Sequence, residues 1–314
     1  MGRFLVKRIL SVIPVLFVVS VVVFLLVHLV PGDPAAAMLG DMATEADIAA
    51  LRERMGLNRP LLEQYVVWVS NVLHGDFGES VSGNETVLSM ILSHLQPTVF
   101  LSLYSLIIAA VIAIPLGMIA ARKKGAMVDH SVTVISLAGI SLPSFLLGLF
   151  LMLLFAVRLK WFPVSGYVPP SQGMAAHLRS LCLPAITLGF MNAALMMRMT
   201  RASMLEVLGS DYMKMAKAKG VKEFFLIAKH AFKNTLVTVI TVIGQSIVQA
   251  LAGAAVVESL FAIPGLGQLM VNSIGRRDYY VIQSIVLLIA VFNVLVTMLI
   301  DIVYGLVDPR VRVS

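Results

Sequence analysis

Residues 10–30 contain no charged side chain, with His28 and two serines as the main polar interruptions. At 1.5 Å per residue such a run reaches about 31 Å, enough to cross a hydrocarbon core of about 30 Å. Arg3, Lys7 and Arg8 precede it. The run is too long for a signal peptide, and no small-x-small cleavage site stands before the turn at Pro31-Gly32-Asp33-Pro34. It therefore reads as a retained anchor. Five further apolar segments follow at 97–121, 131–157, 181–197, 235–262 and 281–306, the second broken by Pro143 and carrying Gly139 and Gly148. Proline kinks and small residues belong in packed membrane helices. The pattern predicts an all-α polytopic membrane protein with six transmembrane helices.

The polar stretch 31–96 is too long for a connector. Its spacing predicts short helices over 45–55 and 61–73, with Pro60 just before the second. The organisation expected is an N-terminal segment and first span (1–30), an extracytoplasmic cap (31–96), a five-helix core (97–306) holding a cytoplasmic loop at 206–234, and a cytoplasmic tail (307–314).

Composition sharpens this. Of 314 residues, 59% are hydrophobic and 13% charged, and the mean hydropathy is +0.94. That leaves too little polar surface for water to be the main solvent, which excludes a soluble enzyme, a disordered regulator and a secreted disulfide scaffold. Cys182 is the single cysteine and forms no internal bridge. The net charge of +7 could suggest nucleic acid, but its distribution favours loops. The N-terminus, residues 122–124, the 198–233 loop and the tail hold 16 of the 24 Lys and Arg, whereas the 31–96 loop has nine acids against three bases. The positive-inside rule then puts both termini in the cytoplasm. No internal repeat supports an inverted-repeat carrier.

The loop between the fourth and fifth spans has a pattern of its own. Asp211 is placed to cap a helix start and Gly220 to end that helix in a left-handed conformation. A second helix is predicted over 222–234, with Phe224, Ala228 and Ala231 beside Phe225 and Phe232 on one face, and Lys222, Lys229 and Lys233 on another. Two readings fit: a basic amphipathic loop on anionic lipid, or a docking element for a cytoplasmic partner. Periodicity does not separate them.

The stretch Tyr212-Met213-Lys214-Met215-Ala216-Lys217-Ala218-Lys219-Gly220, followed by His230-Ala231-Phe232-Lys233-Asn234, resembles the EAA loop of binding-protein-dependent ABC importer permeases, in particular the dipeptide/oligopeptide/nickel branch. Pro31-Gly32-Asp33-Pro34, the run from Glu258 through Phe261 and Pro264 to Gly267, Arg277-Asp278-Tyr279-Tyr280, and Asp301 through Tyr304 to Asp308-Pro309-Arg310 agree in order. Lys214 replaces the glutamate that names the loop, Met215 stands where threonine is common, and Thr238 lies near the place of an absent proline.

The resemblance implies the type I importer permease fold and a bacterial or archaeal inner membrane location. It implies a chain that is not itself an enzyme and has no catalytic, cofactor-binding or metal residues. The chain lacks a GxxxxGK[ST] phosphate loop and contains no Gly-Lys pair, in keeping with ATP and magnesium acting in separate subunits. The implied partners are a homologous second permease, two cytoplasmic ATPase subunits and an extracytoplasmic solute-binding protein. The implied cargo is dipeptides or oligopeptides, with a nickel chelate or glutathione as the alternative. On this resemblance, Tyr212, Lys214, Met215, Ala216, Ala218, Lys219, Gly220, His230 and Asn234 couple the chain to the ATPases. A channel or an intramembrane enzyme is the reading from another class, and no GxSxG or HExxH motif supports the enzyme.

Polar residues near lipid complete the expectations. Glu258 and Asp301 each either line the pathway or pair with a neighbouring helix, Asp301 by orienting the sixth span against an Arg or Lys. Arg198 and Arg201 are expected to snorkel to headgroups. His28 reads as a hydrogen-bonded structural residue, and the 18 methionines as packing rather than ligands. His74, His94 and His177 lack ligand spacing.

Overall fold

The computed structural model describes residues 2–28, 33–40, 43–80 and 85–307. The first half of the Pro31–Pro34 turn and the segment 308–314, with Asp308-Pro309-Arg310, lie outside the described residues. The described residues are almost wholly helical, with one isolated antiparallel bridge between Glu79 and Thr86. Among the described residues five helices are long and apolar enough to cross a membrane, or six where a sharply bent pair counts as one span. The elements group into two compact units, 1–96 with 265–298, and 97–264 with 299–314.

The first unit contains α1 (Gly2–His28), α2 (Pro34–Leu39), α3 (Glu45–Arg54) and α4 (Leu61–Leu73). It also holds the start of α5 (Val87–Arg122), and further on α12 (Leu266–Gly275) and most of α13 (Tyr279–Val307). The predicted helices over 45–55 and 61–73 are α3 and α4. Helix α3 begins with a capping box: Asp47 N–H donates to Thr44 Oγ1 at 3.2 Å, and Thr44 N–H to Asp47 Oδ2 at 3.1 Å. The Thr44 hydroxyl, followed by its N–H, holds the Asp47 carboxyl below its ordinary range. Helix α4 lies along the later half of α1. Tyr65 meets Phe17 and Phe24 edge-on, and its hydroxyl is 2.7 Å from Ser20 Oγ. His28 Nε2 is 3.1 Å from Gln64 Oε1, the structural role its sequence context suggested. Val87, Ile91, Leu266, Leu269, Val281 and Ile285 form this unit's core. Buried Asp278 accepts a 2.5 Å hydrogen bond from Ser80 Oγ just before α13 begins.

The second unit is a bundle around α8 (Met174–Gly209). It adds α6 (Met127–Ser141), α7 (Ser144–Leu151) continued by a π-helical stretch Met152–Arg158, α9 (Asp211–Ala218), α10 (Glu223–Phe225) and α11 (Phe232–Phe261). Leu101, Leu181, Leu188, Ala250, Ala254, Val257 and Phe261 pack at one level, and Ala109, Ala113, Met196, Met197 and Val242 at another. Small residues let backbones approach in the absence of a hydrophobic force between helices. A Cβ built on Gly189 would stand 2.7 Å from the Ser105 carbonyl oxygen of α5.

The break expected at Pro143 is sharp: Met127–Ser141 and Ser144–Arg158 meet at 105°. Leu142 is extended at φ −81°, ψ 124°, as a residue before proline prefers, and Pro143 supplies no N–H to carry the helix on. The second helix predicted over 222–234 does not end before the fifth span. Glu223–Phe261 is one helical run, in which Leu226–Ala231 takes π geometry between α10 and α11.

Candidate functional site

Helix α9 is held at both ends by local chemistry. Its N-cap is Ser210, extended at φ −70°, ψ 153°, whose hydroxyl bonds back to Val207 O. Asp211, expected as the cap, is instead the first helical residue and binds Lys214 Nζ at 2.8 Å. A carboxylate there still complements the positive end of the helix dipole. At the other end Gly220 takes φ +78°. Its N–H reaches Lys217 O at 3.0 Å, and Val221 N–H reaches Ala216 O at 3.3 Å. These two bonds make a Schellman stop, which reverses the chain within two residues.

The two faces of α9 differ. Met213 is 2% exposed and packs with Ala121, Met204, Leu226 and Ala231, with Ala216 alongside. Met215 is 61% exposed, and Phe224 and Phe225 across the turn are 73% and 55% exposed, their rings 5.7 Å apart and edge-on. Tyr212, Lys214, Ala218 and Lys219 are also exposed. These exposed apolar side chains, beside lysines on a segment whose other face packs into the core, make an apolar patch on the surface of this unit.

Tyr212, His230 and Asn234 come together, though not on that patch. Asn234 Nδ2 donates to Tyr212 Oη and to the His230 carbonyl, both at 2.8 Å. They join α9 to the beginning of α11. Lys214, Met215, Ala218 and Lys219 stand apart from this junction, and Ala216 backs onto the core.

Two ion pairs escaped the sequence reading. Arg122 Nε, at the end of α5, donates to Glu223 Oε1 at 2.8 Å and pins the turn after Gly220. The other joins Asp129 to Arg201, a residue expected at the headgroups. Arg201 does not snorkel: its Nε and Nη2 grip the buried carboxylate of Asp129, Nη2 at 2.9 Å from Oδ2, and Gly125 N–H adds a bond of 2.9 Å. An acid at the edge of an apolar segment was the available signal, since such a charge requires a partner. Arg198 is exposed.

Glu258 is fully buried and accepts a 2.6 Å hydrogen bond from Thr98 Oγ1 of α5. Asp301 lies half-buried on α13. His177 is buried, 2.7 Å from Val168 O and 3.1 Å from Tyr104 Oη. Among the described residues no group of three His, Cys, Asp or Glu side chains is placed to hold a metal ion.

The fold has a solved counterpart. The MetNI methionine ABC transporter in inward-facing conformations contains a chain that matches at TM-score 0.58 and 16% identity, over 70% of this chain and 97% of that one. This is the fold of an ABC importer permease. Sequence carries the assignment further: residues 113–313 match the family model for the binding-protein-dependent transport system inner membrane component, and residues 1–102 match its N-terminal companion. The chain belongs to this family of binding-protein-dependent transport system membrane components. Members are multi-pass transport components and not enzymes. The probable peptide ABC transporter permease protein y4tP of Sinorhizobium fredii is 42% identical over 99% of this chain and all of its own length. The glutathione transport system permease protein GsiC of Escherichia coli is 39% identical over 99% of each.

Proposed function

We propose that this chain is one of two homologous permeases of an ATP-driven importer for short peptides. Its termini and the 206–234 loop face the cytoplasm, its 31–96 cap faces an extracytoplasmic solute-binding protein, and its membrane is a bacterial inner membrane. Two ATPase subunits bind and hydrolyse ATP with magnesium, and this chain responds to their closure. The observation that carries the coupling role is the exposed cluster of Met215, Phe224 and Phe225, on a turn stopped by Gly220 and pinned from behind by Arg122–Glu223 and Tyr212–Asn234. A groove that moves this cluster moves the helical run Glu223–Phe261 with it. Such a push biases two discrete arrangements of the spans.

Peptide cargo is supported by the name of y4tP, and glutathione, itself a tripeptide, by that of GsiC. The test is uptake into proteoliposomes holding the chain with its partner permease, ATPases and solute-binding protein. ATP-dependent entry of labelled dipeptide or oligopeptide is expected. Glutathione entry alone would favour the second cargo, and entry without the ATPases would overturn the proposal.

A further inference from the structure

One face of α11 is unlike a lipid-facing surface. Gln245, Gln249, Ala252, Val256 and Ser259 are all exposed, and they recur at intervals of four and three. At 100° per residue they fall within about 40° of a common line along the helix. Thr98-bonded Glu258 points away from that line into the bundle. Gln245 and Gln249 sit some 15–20 Å up the helix from Thr235, at 1.5 Å per residue, which is mid-depth in a bilayer. Among the described residues their carboxamides make no hydrogen bond. On the bundle side of the helix, about 100° round from Gln245, Ser246 Oγ is fully buried and without a partner, and so is Asn192 Oδ1 near the middle of α8. Hydrocarbon offers such groups nothing, so a mid-depth glutamine pair facing lipid is unfavourable.

We infer that this stripe lines the solute pathway shared with the second permease, and that Gln245 and Gln249 hydrogen-bond the main chain of the passing peptide. A carboxamide offers both a donor and an acceptor, as each peptide unit does, and carries no charge. It therefore serves a peptide of any side-chain composition without trapping charged cargo. The inference rests on the peptide-importer reading above and adds to it where in this chain the cargo is touched.

The test uses the reconstituted importer. Gln245→Leu with Gln249→Leu should lower peptide uptake about tenfold, the scale of one or two net hydrogen bonds. Insertion, assembly and ATP hydrolysis without cargo should stay unchanged. Gln245→Asn with Gln249→Asn should restore part of the uptake, which a packing role would not predict. In a Cys182→Ser background, Gln249→Cys should react with a water-soluble thiol reagent in at least one nucleotide state and be shielded by cargo. A cysteine unreactive in every state, together with normal uptake by the leucine pair, would overturn the inference while leaving a peptide importer intact. A reactive cysteine in a complex that carries no peptide would indict the cargo reading instead.

Discussion

Arg201 of α8 and Asp129 of α6 form a two-pronged ion pair across 72 positions of sequence, with the Asp129 side chain 5% exposed. Pulling either charge out leaves the other stranded in a poorly hydrated place, which is worth roughly 3–5 kcal/mol, whereas replacing both with apolar groups is often neutral. Asp129→Asn or Arg201→Leu should therefore lower the melting temperature of the detergent-purified importer markedly. Asp129→Leu with Arg201→Met should recover most of that loss. Equal losses in the single and double variants would mean that the pair acts through something other than charge compensation.

Two methionines two positions apart should behave oppositely. Met213 is buried, so Met213→Ala should destabilise the chain by about 2–5 kcal/mol through transfer and cavity terms. Met215 is exposed, so Met215→Asp should leave stability within about 0.5 kcal/mol. It should nevertheless weaken capture of the ATPase subunits at least tenfold in a pull-down titration. Normal ATPase capture by Met215→Asp would place the docking surface elsewhere.

At Gly220 a built Cβ meets nothing within 4 Å, so size is not the constraint. The constraint is the positive φ, disfavoured by about 1–2 kcal/mol for an L residue with a Cβ. Gly220→Ala should already loosen coupling and raise the ATP hydrolysed per peptide moved. Gly220→Asn, which tolerates the left-handed region, should do so much less. A graded dependence on side-chain volume would contradict this account.

The Asp47 carboxyl titrates below its ordinary range because Thr44 bonds the charged form. A depressed folded pKa means that its contribution to α3 is fully present above the unfolded pKa and is lost only as pH falls through the folded one. Amide exchange over Glu45–Arg54 should thus be insensitive to pH, beyond its intrinsic chemistry, from neutral to mildly acidic conditions. Thr44→Ala should speed it throughout and return Asp47 towards an ordinary carboxylate.

The six apolar runs, the short helices α3 and α4 and the left-handed stop at Gly220 could be read from sequence because each depends on near neighbours: hydropathy, a capping residue, a glycine. What escaped is set by distant ones. Nothing local marks Arg122 for Glu223, 101 positions away, and nothing in the charge of Arg201 reveals whether it faces headgroups or Asp129. The size of the 105° turn at Pro143 was hidden as well: the proline and the extended Leu142 it favours mark a break, and the angle between the two segments is set by what each packs against. The join of the second loop helix to α11 was hidden for another reason. Periodicity assumes 3.6 residues per turn, and the Leu226–Ala231 stretch departs from that spacing.

That departure sets the rotational phase of everything downstream. Residues 226–231 spend more chain per turn than the helices flanking them, so shortening the stretch by one residue would allow ordinary α geometry to pass straight through. Because the wide turn absorbs that one residue, Phe224, Phe225, Gln245 and Gln249 would keep their relative facing, whereas losing one residue from the regular helix just after Phe232 would swing Gln245 and Gln249 about 100° round the barrel of the rod. A single-codon deletion at that later point would yield a protein of nearly unaltered composition whose carboxamides point at the wrong neighbours.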